Sequence, residues 1–231
     1  INKTTMTEDV EKESYLRNVV LFGDFGKILF LLLSHHHHHH HSTHKSYLGC
    51  GKTSLIRRWD CDKFDPDGKA SVGMNYVSKT IKIDRNTNIT LRVWDTAGQE
   101  RFGTIVNTLF KNADGVLLCF DLSDPESLRN ISSWRRAVLR KSSRRLSSLF
   151  LVGMKKDIQH LEGSVTEDDL AKTKDQYDEY DLVLTSAKTG ENVKEAFDMM
   201  ARKLLETEVA KSEAEKLNRT GGVSIDRKEK S

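Results

Sequence analysis

Val93-Trp94-Asp95-Thr96-Ala97-Gly98-Gln99-Glu100-Arg101-Phe102 joins the end of a strand to a polar turn. Upstream of it Ile89, Leu91 and Val93 alternate with polar residues. That period of two belongs to a strand with one buried face. The strand closes on Asp95, and Gly98-Gln99 follows at once. An Asp at a strand end can hold a magnesium ion through its water. The amide of Gly98 can approach a terminal phosphate closely because no side chain stands in the way. A Gln beside it can orient an attacking water. These residue types in this order point to phosphoryl transfer.

Trp94 to Phe102, WDTAGQERF, resembles the switch II segment of the Rab branch of Ras-like small GTPases. The resemblance implies a phosphate loop upstream and a base-reading loop downstream. Asn18 to Phe22 is a short β-branched and apolar run, as a buried strand should be, and Gly23-Asp24-Phe25-Gly26 follows it. The closing half of a phosphate loop, Cys50-Gly51-Lys52-Thr53-Ser54, comes only after a long interruption. Removing the 23 residues Lys27 to Gly49 leaves Gly-Asp-Phe-Gly-Cys-Gly-Lys-Thr-Ser, which fits the motif, follows a strand and opens a helix. By resemblance, Lys52 reaches the β- and γ-phosphates and Thr53 ligates magnesium.

The interruption carries ILFLLL from Ile28 to Leu33 and a histidine run from His35 to His41. With His44 it holds eight of the nine histidines of the chain. The composition belongs to neither neighbour, as in low-complexity tracts. A retained intron or gene-model error is the preferred reading, and a metal-binding histidine loop the other. A flexible loop lengthened in this way costs about 1.5–2 kcal/mol in closure entropy, which a fold can survive. The cradle of consecutive backbone N–H groups that grips phosphate is more sensitive. Severely weakened nucleotide binding is therefore expected of the chain as written.

Downstream, Ala70 to Tyr76 falls where the family carries switch I. Ser71 takes the place of its magnesium-binding Thr, still a hard oxygen ligand. Phe64 lies where the family packs an aromatic beside the guanine; a core Phe is the alternative. Gly115 to Asp121 and Leu149 to Gly153 are near-continuous apolar runs, the pattern of strands buried on both faces. Met154-Lys155-Lys156-Asp157 then occupies the place of the Asn-Lys-x-Asp loop. By resemblance Asp157 accepts from the guanine edge and Lys155 lies along the base. Met154 replaces the Asn and can neither donate to the base nor tie this loop to the phosphate loop. That loss corresponds to about 1–3 kcal/mol. Ser186-Ala187-Lys188 resembles the loop whose backbone meets the guanine carbonyl.

The resemblance spans Asn18 to Glu206. It implies an α/β P-loop GTPase fold: a mostly parallel six-stranded sheet with one antiparallel edge strand and helices on both faces. Residues 1–17 and 207–231 are polar and charged, and read as a flexible N-terminal tail and a disordered C-terminal tail. The basic stretch from Arg135 to Arg145 reads as a solvated helix end, or as a surface for acidic lipid or a partner. Net charge is +3, so no nucleic-acid partner is expected. Cys50, Cys61 and Cys119 show no metal or disulfide spacing, which fits a reduced cytosolic protein. Rab proteins end in prenylated cysteines, and no cysteine follows Cys119. A cytoplasmic protein is expected as written, and a membrane-associated one if the true C-terminus carries cysteines.

The function implied is a molecular switch that binds GTP or GDP with magnesium and hydrolyses GTP slowly, in vesicle trafficking. Its partners would be an exchange factor, an activating protein and effectors reading switches I and II. A nucleotide-cycling-deficient interaction protein is the alternative, and a mis-spliced product without function is a third reading.

Overall fold

The computed structural model describes residues 13–24, 49–67, 75–96, 103–142 and 148–220. Six strands form one sheet: β1 (Glu13–Gly23), β2 (Asn75–Lys82), β3 (Thr87–Asp95), β4 (Gly115–Asp121), β5 (Ser148–Met154) and β6 (Asp181–Leu184). Their spatial order is β2-β3-β1-β4-β5-β6. All neighbours are parallel except β2 and β3. The six-stranded, mostly parallel sheet with an antiparallel edge strand is thus the observed architecture.

The helices are α1 (Lys52–Cys61), α2 (Gly103–Asn112), α3 (Pro125–Arg129), α4 (Ile131–Lys141), α5 (Glu167–Gln176) and α6 (Val193–Thr220). Alternation along the strands divides the core into two layers. Val19, Leu21, Leu91, Val93 and Leu117 face α1 and α6, where Trp59 stacks on Phe197 at 4.3 Å between ring centroids. Val20, Phe22, Val116, Leu118 and Phe120 face α2, α4 and α5, where Phe22 meets Phe110 edge-on at 4.8 Å. Every residue of β4 and β5 is buried, which explains their unbroken apolar runs. Parallel strands place their carboxyl ends along one rim. Gly23, Asp95, Asp121 and Met154 close β1, β3, β4 and β5 there.

Element ends differ from the sequence expectation at both termini. β1 begins at Glu13 rather than Asn18, because its polar first residues pair with β3 down to Thr87. Glu13 N also donates to Asn86 O at 2.9 Å in the β2–β3 turn. α6 continues through Thr207 to Thr220, where the composition predicts a disordered tail. Lys, Glu, Ala and Leu are good helix formers, so the helix propagates past its packed part. Arg17 pairs with Glu208 at 2.9 Å and ties the first strand to this extension. From Val209 to Leu217 every residue is exposed.

Candidate nucleotide-binding and hydrolysis site

The two separated halves of the phosphate loop meet at the rim. Gly23 runs so close to β4 that a Cβ on it would lie 2.0 Å from the Cys119 carbonyl oxygen. Only glycine fits that approach. Cys50 N donates to Asp24 O at 3.5 Å, across the interruption. Gly51 then turns into α1 with φ 104, a left-handed conformation that glycine adopts without strain. Lys52 is buried, and its ammonium donates to Gly23 O at 2.9 Å and Asp24 O at 3.3 Å. Cys50 is buried beside it, and burial pushes its thiol pKa up. Helix α1 opens at this rim with Gly51 before its first turn, and a helix N-terminus there is the kind of element that holds an anion.

Thr53 Oγ1 donates to Asp95 Oδ2 at 2.5 Å. Asp95 is itself buried at the end of β3. A hydroxyl and a carboxylate at this separation form a hard-oxygen pair of the type magnesium selects. Thr96 Oγ1 donates to Leu21 O at 2.9 Å, locking the start of the following segment onto β1. Gly26, Ser71, Gly98 and Gln99 lie outside the described residues.

The base-reading residues converge on the β5 end. Asp157 Oδ1 accepts from Ser186 Oγ at 2.6 Å, and Lys188 Nζ stands 3.9 Å from Oδ2. Lys155 takes a left-handed conformation, φ 62, and its ammonium lies 2.6 Å from Asp121 Oδ2. Asp121 Oδ1 in turn accepts from Ser123 N and Oγ. The loop carrying Ala187 is fastened to α1 by Arg58, which donates to Ala187 O at 2.6 Å and Lys188 O at 2.8 Å.

Met154 is only 2% exposed and belongs to the same buried cluster as Cys50. Its sulfur accepts from Thr185 Oγ1 at 3.6 Å. A Cβ on Gly51 would lie 3.7 Å from its methyl. The methionine therefore connects the base loop to the phosphate loop by packing, where the expectation was that it could not join them. Phe64 is 37% exposed and belongs to neither core cluster, which overturns the core alternative for it. Arg135 is no free cation of a basic surface: it donates to Tyr180 Oη at 3.1 Å and Glu179 Oε1 at 3.0 Å.

The sequence reading missed several residues of this rim. Asp121, Arg58, Asn130 and Trp134 act across long separations that no local motif marks. The Ser186 hydroxyl reaches Asp157 across 29 residues, and the Ser-Ala-Lys pattern does not mark that contact.

The Ras family model matches residues 47–206. This chain belongs to the Ras family. The match opens just before Cys50, at the end of the interruption. The Ypt/Rab-type GTPase YPT7 of Saccharomyces cerevisiae is 34% identical over 169 residues, 72% of this chain and 81% of that protein. The Ras-related protein Rab-9A of Mus musculus is 34% identical over 185 residues, 79% and 89% respectively. The GTP-binding protein YPT1 of Saccharomyces cerevisiae is 33% identical over 159 residues, 69% and 75% respectively. Within the Ras family the chain is therefore a Rab-type small GTPase. No helix among its described residues is long and apolar enough to cross a membrane.

Proposed function

We propose that the rim binds GTP and GDP together with one magnesium ion, and that the chain works as a switch in vesicle trafficking. The observation that carries this reading is the joint placement of Lys52, the Thr53–Asp95 pair and the Ser186–Asp157 pair along one rim. They are separate in sequence and serve three parts of one ligand. The amides from Cys50 to Ser54 and the Lys52 ammonium neutralise phosphate charge. Thr53, Ser71 and Asp95 hold the magnesium ion, which when bound offsets charge on the phosphate oxygens. Asp157 selects guanine because a carboxylate accepts from its N–H groups, which adenine does not present in the same place. The Ser186 hydroxyl fixes the carboxylate for that contact. Phe64 lies beside the base, and the backbone from Ser186 to Lys188 meets its carbonyl oxygen.

Gln99 orients the attacking water, and Gly98 approaches the terminal phosphate. An activating protein that supplies an arginine accelerates hydrolysis by about 10³–10⁵. An exchange factor and effectors engage the same two switch segments.

The test is release of a fluorescent GDP analogue with and without a chelator. Chelation should speed release about tenfold or more in the wild-type chain. D95N should release quickly whether or not the chelator is present. Release from the wild type that ignores the chelator would remove magnesium from the site.

A further inference from the structure

We propose that Trp134 and Asn130 form a clamp that holds Asp24, and with it the first half of the split phosphate loop, against the second half. The clamp rests on the nucleotide reading above and concerns how this chain keeps that site assembled. Asp24 is the last described residue before the interruption. Each of its carboxylate oxygens has its own donor. Trp134 Nε1 donates to Oδ1 at 2.6 Å, and Asn130 Nδ2 donates to Oδ2 at 2.7 Å. Hydrogen bonds to an ionised acceptor are the short and strong ones.

Both donors sit on one rigid element. Asn130 joins α3 to α4, and Trp134 N donates to Asn130 O at 3.1 Å one turn later. The indole is held edge-on against Phe22 at 4.9 Å, two residues before Asp24 on β1. The main chain of Asp24 faces the other half of the loop. Its carbonyl accepts from Cys50 N and from the Lys52 ammonium. Asp24 therefore bridges α4 and α1. An uninterrupted phosphate loop fixes its two halves through a few covalent links. Here 23 residues intervene, so the halves depend on non-covalent ties to stay in register. The clamp residues are positioning residues that act through Asp24.

The experiment is GDP affinity for four chains: the full chain and the chain lacking Lys27 to Gly49, each as wild type and as W134F. Phenylalanine keeps the ring against Phe22 and removes only the donor. The full chain should lose about tenfold in affinity, the value of one hydrogen bond to a carboxylate. The shortened chain should lose less than about threefold, since covalent continuity replaces the clamp. Equal losses in both backgrounds would overturn the proposal. So would GDP binding by the shortened wild type with none by the full chain. If no chain binds GDP, the nucleotide reading fails on its own, and hydrogen exchange at the Cys50 amide decides the clamp. W134F must then speed that exchange about fivefold in the full chain and leave the shortened chain unchanged. Equal exchange in all four chains would overturn it.

Discussion

Met154 stands between the base-reading loop and the phosphate loop, and two of its properties pull against each other. Its buried side chain fills the space under Gly51 and adds to the core that includes Cys50 and Trp59. It also supplies no side-chain donor of its own to that junction. M154N should therefore tighten GDP binding about tenfold, because a paired amide at a buried junction contributes about 1–3 kcal/mol. The same change should lower the stability of the nucleotide-free protein by about 1–2 kcal/mol, through lost apolar burial. GDP titration and urea unfolding read the two effects separately. Unchanged GDP affinity in M154N would contradict this account of the loop. Lys52, Thr53, Asp95, Asp157 and Ser186 were legible in the sequence because each belongs to a short motif beside a strand. Asp121, Asn130 and Trp134 were not. Their contacts depend on how far apart the strand ends and α4 lie in space, and no sequence period encodes that distance.

The central strands were legible because burial on both faces leaves an apolar run, as in β4 and β5. The ends of β1 and α6 were not. Polar residues in them are held by backbone pairing and by helix propensity, and neither leaves an apolar pattern. Helix α5 shows how an end can be specified locally. Thr166 Oγ1 accepts from Asp169 N, and Thr166 N donates to the Asp169 carboxylate, forming a reciprocal cap. The Thr166 hydroxyl and amide together hold the Asp169 carboxyl below its ordinary pKa. T166A should cost about 1 kcal/mol by urea unfolding at neutral pH. Because the folded pKa is lowered, the carboxylate's contribution is complete above the ordinary aspartate value of 3.8 and fades as pH falls through the folded value. The gap between wild type and T166A should accordingly narrow in acid. A gap that widens as pH falls below that value would contradict the cap.

The molecule as a whole keeps a Rab-type architecture while carrying an interruption through its most sensitive loop. The sheet explains how this is possible. β1 is central, paired with β3 on one side and β4 on the other, so Gly23 and Asp24 are delivered to the rim by the core and not by the loop that follows them. α1 is seated independently through Leu55, Ile56 and Trp59. The two halves of the phosphate loop therefore arrive at one place from two separately anchored elements. Their join runs through 23 added residues, and the interruption should weaken the site without abolishing it.

The measurement that bears most directly on this account is GDP and GTP binding, with ATP as control, by the full chain and by the chain lacking Lys27 to Gly49. The account predicts that both chains bind guanine nucleotides and ignore ATP, with the shortened chain binding about tenfold or more tightly. Absence of guanine-nucleotide binding by the shortened chain would contradict it, and would leave a GTPase fold that serves as an interaction protein.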